Sequence, residues 1–237
     1  MEKRRIYTGL GVLCILLVAI MFVYQSNKVE VEELYIPASE EEWERVDKEN
    51  RQLEYEIGKA RGEWIRENGG MPDPGGEIYA KGKTVQVSKA EYEYSFTKYK
   101  VQGNEEEAEE KIVRAWARAK LLYNLAVEKG YSVTDEEVIQ GIERAKEHNK
   151  LYEENNEIKS PMTAEMEGFD SEQEYWDAVY LIYQRDLTIN KYTDDLREQK
   201  AIEWGLQDSF FELEEKWREY YDEYTKQLIE EEDVRIL

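Results

Sequence analysis

The sequence predicts a mostly α-helical protein, tied to a membrane at its N-terminus and carrying one small β element. Three observations predict it: an apolar run over residues 6–24, a series of amphipathic patterns opened by capping boxes, and one alternating segment near residue 80 answered by a short alternating segment at residues 233–237.

The apolar run spans ~28 Å as a helix, close to the apolar thickness of a bilayer. Lys3, Arg4 and Arg5 precede it, and Glu30, Glu32 and Glu33 follow. By the positive-inside rule the N-terminus stays cytoplasmic and the body is extracytoplasmic, which makes a single-pass cell-membrane protein. Met21, Phe22, Val23, Tyr24 and Gln25 offer no small-x-small cleavage site, and Leu13 before Cys14 is a poor lipobox residue. An uncleaved anchor is expected, with a cleaved signal and a lipoprotein as the alternatives. Residues 1–5 form the cytoplasmic tail and residues 25–38 an acidic stalk with Pro37.

The net charge of −22 includes +2 on residues 1–24, which leaves −24 on the rest. Such a surface repels nucleic acid and anionic lipid. A hydrophobic fraction of 41%, with six Trp and eighteen Tyr, is too rich for a disordered acidic tail and calls for a packed core. Cys14 is the single cysteine, so the body has no internal disulfide and no thiolate site. The chain has no Asn-x-Ser/Thr acceptor, which suits a bacterial envelope.

Ser39 with Glu42 reads as a capping box opening a helix over residues 39–68. Trp43, Val46, Asn50, Leu53, Ile57, Ala60 and Trp64 follow one another at three and four residues, a heptad seam with one Asn at an a position. Two readings stay open: a parallel homodimer through the helix that carries Trp43 and Trp64, or packing on the chain's own body. Asp47, Glu49, Glu54, Glu56 and Glu63 on the flanks, beside Arg61, would set acid against acid in the dimer. Residues 69–76, with four Gly and two Pro, form a linker.

Residues 78–87 alternate on both sides of Gly82 and predict a hairpin. Ser88 with Glu91 then caps a helix with Tyr92, Phe96 and Tyr99 on its apolar face, ended by Gly103. A second helix, about residues 105–129, presents Ile112, Trp116, Ala119 and Tyr123, with Val113, Ala117 and Leu121 alongside. Thr134 with Glu137 caps a third, with Val138, Ile142 and Ala145 inward, fading into the polar run 149–156. After a loop marked by Pro161 and Gly168, Ser171 with Glu174 opens a fourth bearing Trp176, Val179, Tyr180, Tyr183 and Leu187. Residues 188–203 read as a connection to the last helix, whose stripe is Phe210, Leu213, Trp217, Tyr220, Tyr224 and Leu228. The terminal segment 233–237 is expected to pair with the hairpin around residues 85–87, since an isolated hairpin is marginal in water.

Enzyme chemistry finds little footing. His148 is the single histidine, so no HExxH zinc site and no pair of Glu-x-x-His motifs can be built. The Glu runs at 105–107, 153–154 and 230–232 read as solvated helix faces, and no Asp-x-Asp-x-Asp-Gly calcium loop, phosphate-cradling glycine loop or Gly-x-Ser-x-Gly elbow occurs. No cofactor, no metal and no catalytic residue are expected.

Four pieces, in order, resemble one family. Residues 82–92 (GKTVQVSKAEY) resemble the opening of the SurA/PrsA-type extracytoplasmic foldases, and residues 129–138 (KGYSVTDEEV) their helix junction. Residues 169–176 (FDSEQEYW) are similar to their next helix start, and Trp217, Tyr220 and Tyr221 leading to Val234, Arg235, Ile236 and Leu237 to their closing helix and strand. Over residues 77–237 the resemblance implies a SurA N-terminal-like helical cradle, comparable to the C-terminal module of trigger factor, that holds unfolded polypeptide. Family members with isomerase activity insert a parvulin domain between the fourth helix and the last; here there is no room for one, so prolyl isomerase activity is not expected.

If the helices form such a cradle, Trp116, Tyr123, Trp176, Tyr180, Tyr183, Trp217, Tyr221 and Tyr224 are the candidates to line it. The alternative for each is ordinary core packing. Tyr and Trp suit the role through large contact area with a polar tip. Two functions follow: a membrane-anchored holdase for unfolded or secreted polypeptides, or an envelope structural or adaptor protein that binds one folded partner.

Overall fold

A computed structural model describes residues 40–155, Ala164, Glu167 and residues 169–237. The apolar run, the stalk, the Ser39 cap, Pro161 and Gly168 lie outside the described residues, as does the side chain of Trp43. Among the described residues six α-helices and one three-stranded antiparallel sheet are present, and no helix is long and apolar enough to cross a membrane.

Helix α1 is Glu40–Asn68. Its first residues, to Asp47, group apart from the body that begins at Lys48. In that first part Arg45 meets Glu42 across one turn at 3.7 Å. Within the body the buried stripe departs from the expected heptad seam. Ile57, Gly58, Gly62 and Ile65 are buried, while Leu53, Ala60 and Trp64 are half-buried and Asn50 is exposed. The two glycines add no side chain, so the face that can be covered most closely is theirs. Trp64 meets Tyr94 edge to face at 5.6 Å, and the Arg61 guanidinium lies 5.4 Å from the same ring. This part of α1 therefore packs on the chain's own body.

Strands β1 (Ile78–Lys81) and β2 (Gln86–Ser88) form the hairpin, with Ala80 opposite Val87 and Lys81 opposite Gln86. The last strand, β3 (Arg235–Ile236), does join the sheet, but through β1 and not through residues 85–87: Ala80 pairs with Ile236 and Lys81 with Arg235, in the order β2-β1-β3. Helix α6 explains the choice. It is Phe210–Glu232, and the Glu232 carbonyl accepts from the Lys83 amide at 3.1 Å, which delivers the chain beside β1. On β2, the Gln86 carbonyl is already taken by Lys120 at 2.7 Å.

The helix starts follow their local capping chemistry. Ser88 and Glu91 exchange both bonds of a capping box ahead of α2 (Lys89–Gln102). Thr134 and Glu137 do the same ahead of α4 (Asp135–Asn155). The Ser171 hydroxyl accepts from the Glu174 amide ahead of α5 (Glu172–Trp204). Helix α3 (Ala108–Glu128), preceded by a 3₁₀ turn at Glu105–Glu107, buries Ile112, Val113, Ala117, Leu122 and Ala126.

Two lengths differ from the sequence reading. Helix α4 runs through the polar residues to Asn155 instead of fading at 149. Residues 188–203 are not a connection but the second half of α5, where Thr188, Tyr192 and Ala201 are buried and Leu196 packs against the cluster that Tyr192 forms with Leu122 and Ala126 of α3. Only residues 205–209 link α5 to α6, turned at Gly205 with φ 67°, a left-handed conformation that glycine enters without steric cost.

The core falls into three clusters. One joins α4 and α5 through Val138, Ile142, Tyr175, Trp176 and Val179. A second lies under the sheet: Ala80, Val87 and Val113, with Tyr79, Trp116 and Val234. The third joins α3, α5 and α6 through Leu122, Ala126 and Tyr192. Helices α4 and α5 approach closely at Gly141, where a Cβ would lie 3.0 Å from Leu187 Cδ1 and 3.5 Å from Tyr183 Cδ1. Gly141→Val is expected to cost about 1–3 kcal/mol by overpacking, read as a shift in the urea midpoint.

Candidate functional site

Helix α3 carries two of the eight candidate residues, Trp116 and Tyr123. Trp116 is half-buried; its Nε1–H donates to Ser95 Oγ of α2 at 2.9 Å. Two cations flank the ring, Lys120 Nζ at 5.7 Å and the Arg185 guanidinium of α5 at 5.6 Å from its centre. Lys120 also donates to Glu91 Oε2 at 2.7 Å, so the buried cap carboxylate of α2 is neutralised from α3.

Two turns beyond Trp116, half-buried Tyr123 lines an open cleft of about 260 Å³ with Thr84, Val85, Gln86, Lys120, Asn124 and Arg185. This falls short of the ~300–1,000 Å³ of small-molecule pockets.

The other six candidates form two further groups. Trp176 lies within the α4–α5 core at 5% exposure, its Nε1–H donating to Glu172 Oε2 at 2.9 Å. Tyr180 and Tyr183 stand at the margin of that core, and the Tyr180 hydroxyl donates to Asp135 Oδ1 at 2.7 Å. On α6, Trp217 is buried at 7% exposure, and the Tyr221 ring lies 5.3 Å from it. Tyr224 is half-buried; its hydroxyl shares a 2.6 Å hydrogen bond with Tyr192 of α5, and its ring stacks on Tyr220 at 5.9 Å.

The structure thus brings Trp176, Tyr180 and Tyr183 together, and separately Trp217, Tyr221 and Tyr224, with Trp116 and Tyr123 along α3. It does not gather all eight into one site. Burial pushes the hydroxyls of Tyr183, Tyr192, Tyr221 and Tyr224 above the ordinary tyrosine range, and Tyr180 is raised by its bond to Asp135. All stay protonated at neutral pH. They provide apolar faces with neutral polar tips and no nucleophile. His148 is half-buried on α4, and among the described residues no group of three His, Cys, Asp or Glu side chains could hold a metal.

Several surface contacts have no signal in the sequence. Lys120 and Arg185 carry no periodic signal, and their convergence on Trp116 depends on how α3 meets α5. A second ladder, Tyr79 on Tyr92 at 4.0 Å and Tyr92 on Phe96 at 5.5 Å, links the hairpin to α2. Most visible is the α5–α6 turn, where Ile202, Phe210 and Phe211 are 60%, 61% and 85% exposed. Phe210 heads the amphipathic stripe of the last helix, and that stripe extends past the end of the packing.

Comparison of the chain with protein-family models, curated proteins and solved structures gives no match in any of the three.

Proposed function

We propose that the chain is a membrane-anchored extracytoplasmic holdase, which binds unfolded or secreted polypeptide without ATP and without prolyl isomerase activity. The observation that carries this reading is the division of the apolar residues into three clusters, with half-buried aromatic side chains at their margins and large apolar ones beyond them. A surface of that kind offers contact to varied sequences because it asks for apolar area and not for a fixed pattern of donors and acceptors.

A SurA N-terminal-like domain is part of the proposal. Capped helices at Ser88, Thr134 and Ser171 and a C-terminal strand closed on an N-terminal hairpin occur in the order that the resemblance implies. The link at residues 205–209 leaves no space for a parvulin domain. The anchor is assigned to residues 6–24, with the body on the far side of the membrane.

One observation favours the adaptor reading instead: Trp176 and Trp217, two of the eight candidates, are buried in the core and present little area to a client. Photo-crosslinking in cells from position 123 separates the two readings. The holdase gives a spread of adducts of many masses, whereas one dominant adduct would replace it with the adaptor.

A further inference from the structure

The α5–α6 turn is the most apolar exposed point of the described body. Phe210 and Phe211 meet each other edge to face at 5.5 Å, and neither is buried by the body. Phe210 lies three residues before buried Leu213 and seven before buried Trp217, so it continues their face of α6 beyond the packed region. Ile202 adds a third exposed side chain at the end of α5.

The charges around this point are net acidic, although the exposed Lys216 and Arg218 lie among them on α6. Arg197 pairs with Glu214, Lys200 pairs with Glu203, and Lys216 lies over the Trp204 ring at 4.8 Å. Asp208, Glu212 and Glu215 are exposed, and among the described residues no cation lies within ion-pair distance of them. Glu215 lies four residues after Phe211 and so on its face of α6, while Asp208 and Glu212 flank the two rings in sequence.

We infer that this turn is a docking point for extended polypeptide segments with an apolar stretch flanked by Lys or Arg. Apolar area supplies the affinity, and the three free carboxylates select against acidic flanks by charge complementarity. A second copy of the chain fits less well, because it would bring the same three carboxylates against their counterparts. The inference rests on the holdase reading and names the class of segment taken.

The test uses the full chain in zwitterionic nanodiscs and three labelled peptides: an apolar core with Lys flanks, the same core with Glu flanks, and a polar core with Lys flanks. Fluorescence anisotropy is expected to show the first binding about tenfold tighter than either of the others. The double substitution Phe210→Ser with Phe211→Ser is expected to weaken it about tenfold with an unchanged circular dichroism spectrum, since both side chains are exposed. The triple substitution Asp208→Asn, Glu212→Gln and Glu215→Gln is expected to erase the preference between Lys and Glu flanks while apolar binding persists.

Equal affinity for the two flanks in the native chain, or full retention by the double variant, overturns the inference. So does a fluorophore at position 211 (Phe211→Cys with Cys14→Ser) that emits in the blue before peptide is added, because lipid or a second copy would then cover the turn. Failure here is separable from failure of the holdase reading. If the double variant still prevents client aggregation as the native chain does, the docking point falls and the holdase stands. If the native chain prevents none, the holdase reading falls, and the peptide titration still decides the docking point.

Discussion

Trp176→Ala is expected to lower the unfolding free energy by about 3–5 kcal/mol, the order found when a buried aromatic side chain is removed and its cavity cannot close. The ring lies between α4 and α5, among Val138, Ile142 and Val179, with Tyr183 edge-on at 6.2 Å and the Lys146 ammonium 5.6 Å above it. Collapse around the void is limited because Tyr175, 6% exposed, already fills one side and Gly141 already brings the two helices close. The loss should be concentrated in α4. Urea unfolding followed by circular dichroism measures the total, and amide exchange should quicken across residues 135–155 before it does in α3.

Glu232→Ala is expected to cost about 1–3 kcal/mol, the range for leaving buried donors without an acceptor. Glu232 is the last residue of α6 and 5% exposed. Its carboxylate accepts from the Thr84 amide, from Thr84 Oγ1 at 2.9 Å and from the Val85 amide at 2.8 Å. This fastens the hairpin turn to a helix some 150 residues later in the sequence. Gly82 allows it, since a Cβ there would lie 2.5 Å from Glu232 Oε1. Gly82→Ala should therefore break the same clasp from the other side, and the double variant should cost less than the two single losses combined.

The clasp also has a pH signature. Burial by itself would raise the Glu232 pKa, but the bonds from Thr84 and Val85 and the Lys83 charge outweigh it and hold the carboxyl below the usual glutamate range. A depressed folded-state value means that the contribution is fully present above the unfolded value of about 4.3 and is lost as pH falls through the folded value. Glu232→Gln should flatten that part of the acid unfolding curve and leave the neutral region parallel to the native chain.

The helix starts were legible because capping is local: Ser88 with Glu91, Thr134 with Glu137 and Ser171 with Glu174 each lie within one turn of chain. The second half of α5 was not, because residues 188–203 are mostly polar and their helix is held by Tyr192, which clusters with Leu122 and Ala126 of α3 and bonds to Tyr224 of α6. The partner of β3 depended on where Glu232 places the end of α6, a contact with no trace in either segment alone. Periodicity named the apolar stripe of α6 from Phe210 to Leu228 but not how far the body extends along it, so the exposure of Phe210 has no trace in the spacing. In α1 the heptad spacing pointed one residue away from the glycine face that the structure buries.

Aggregation of a reduced, unrelated client protein, followed by light scattering with and without the full chain in zwitterionic nanodiscs, decides whether the chain is a holdase. A holdase gives dose-dependent suppression without nucleotide, and empty nanodiscs give none. Scattering that is the same with the native chain as with empty nanodiscs would contradict it.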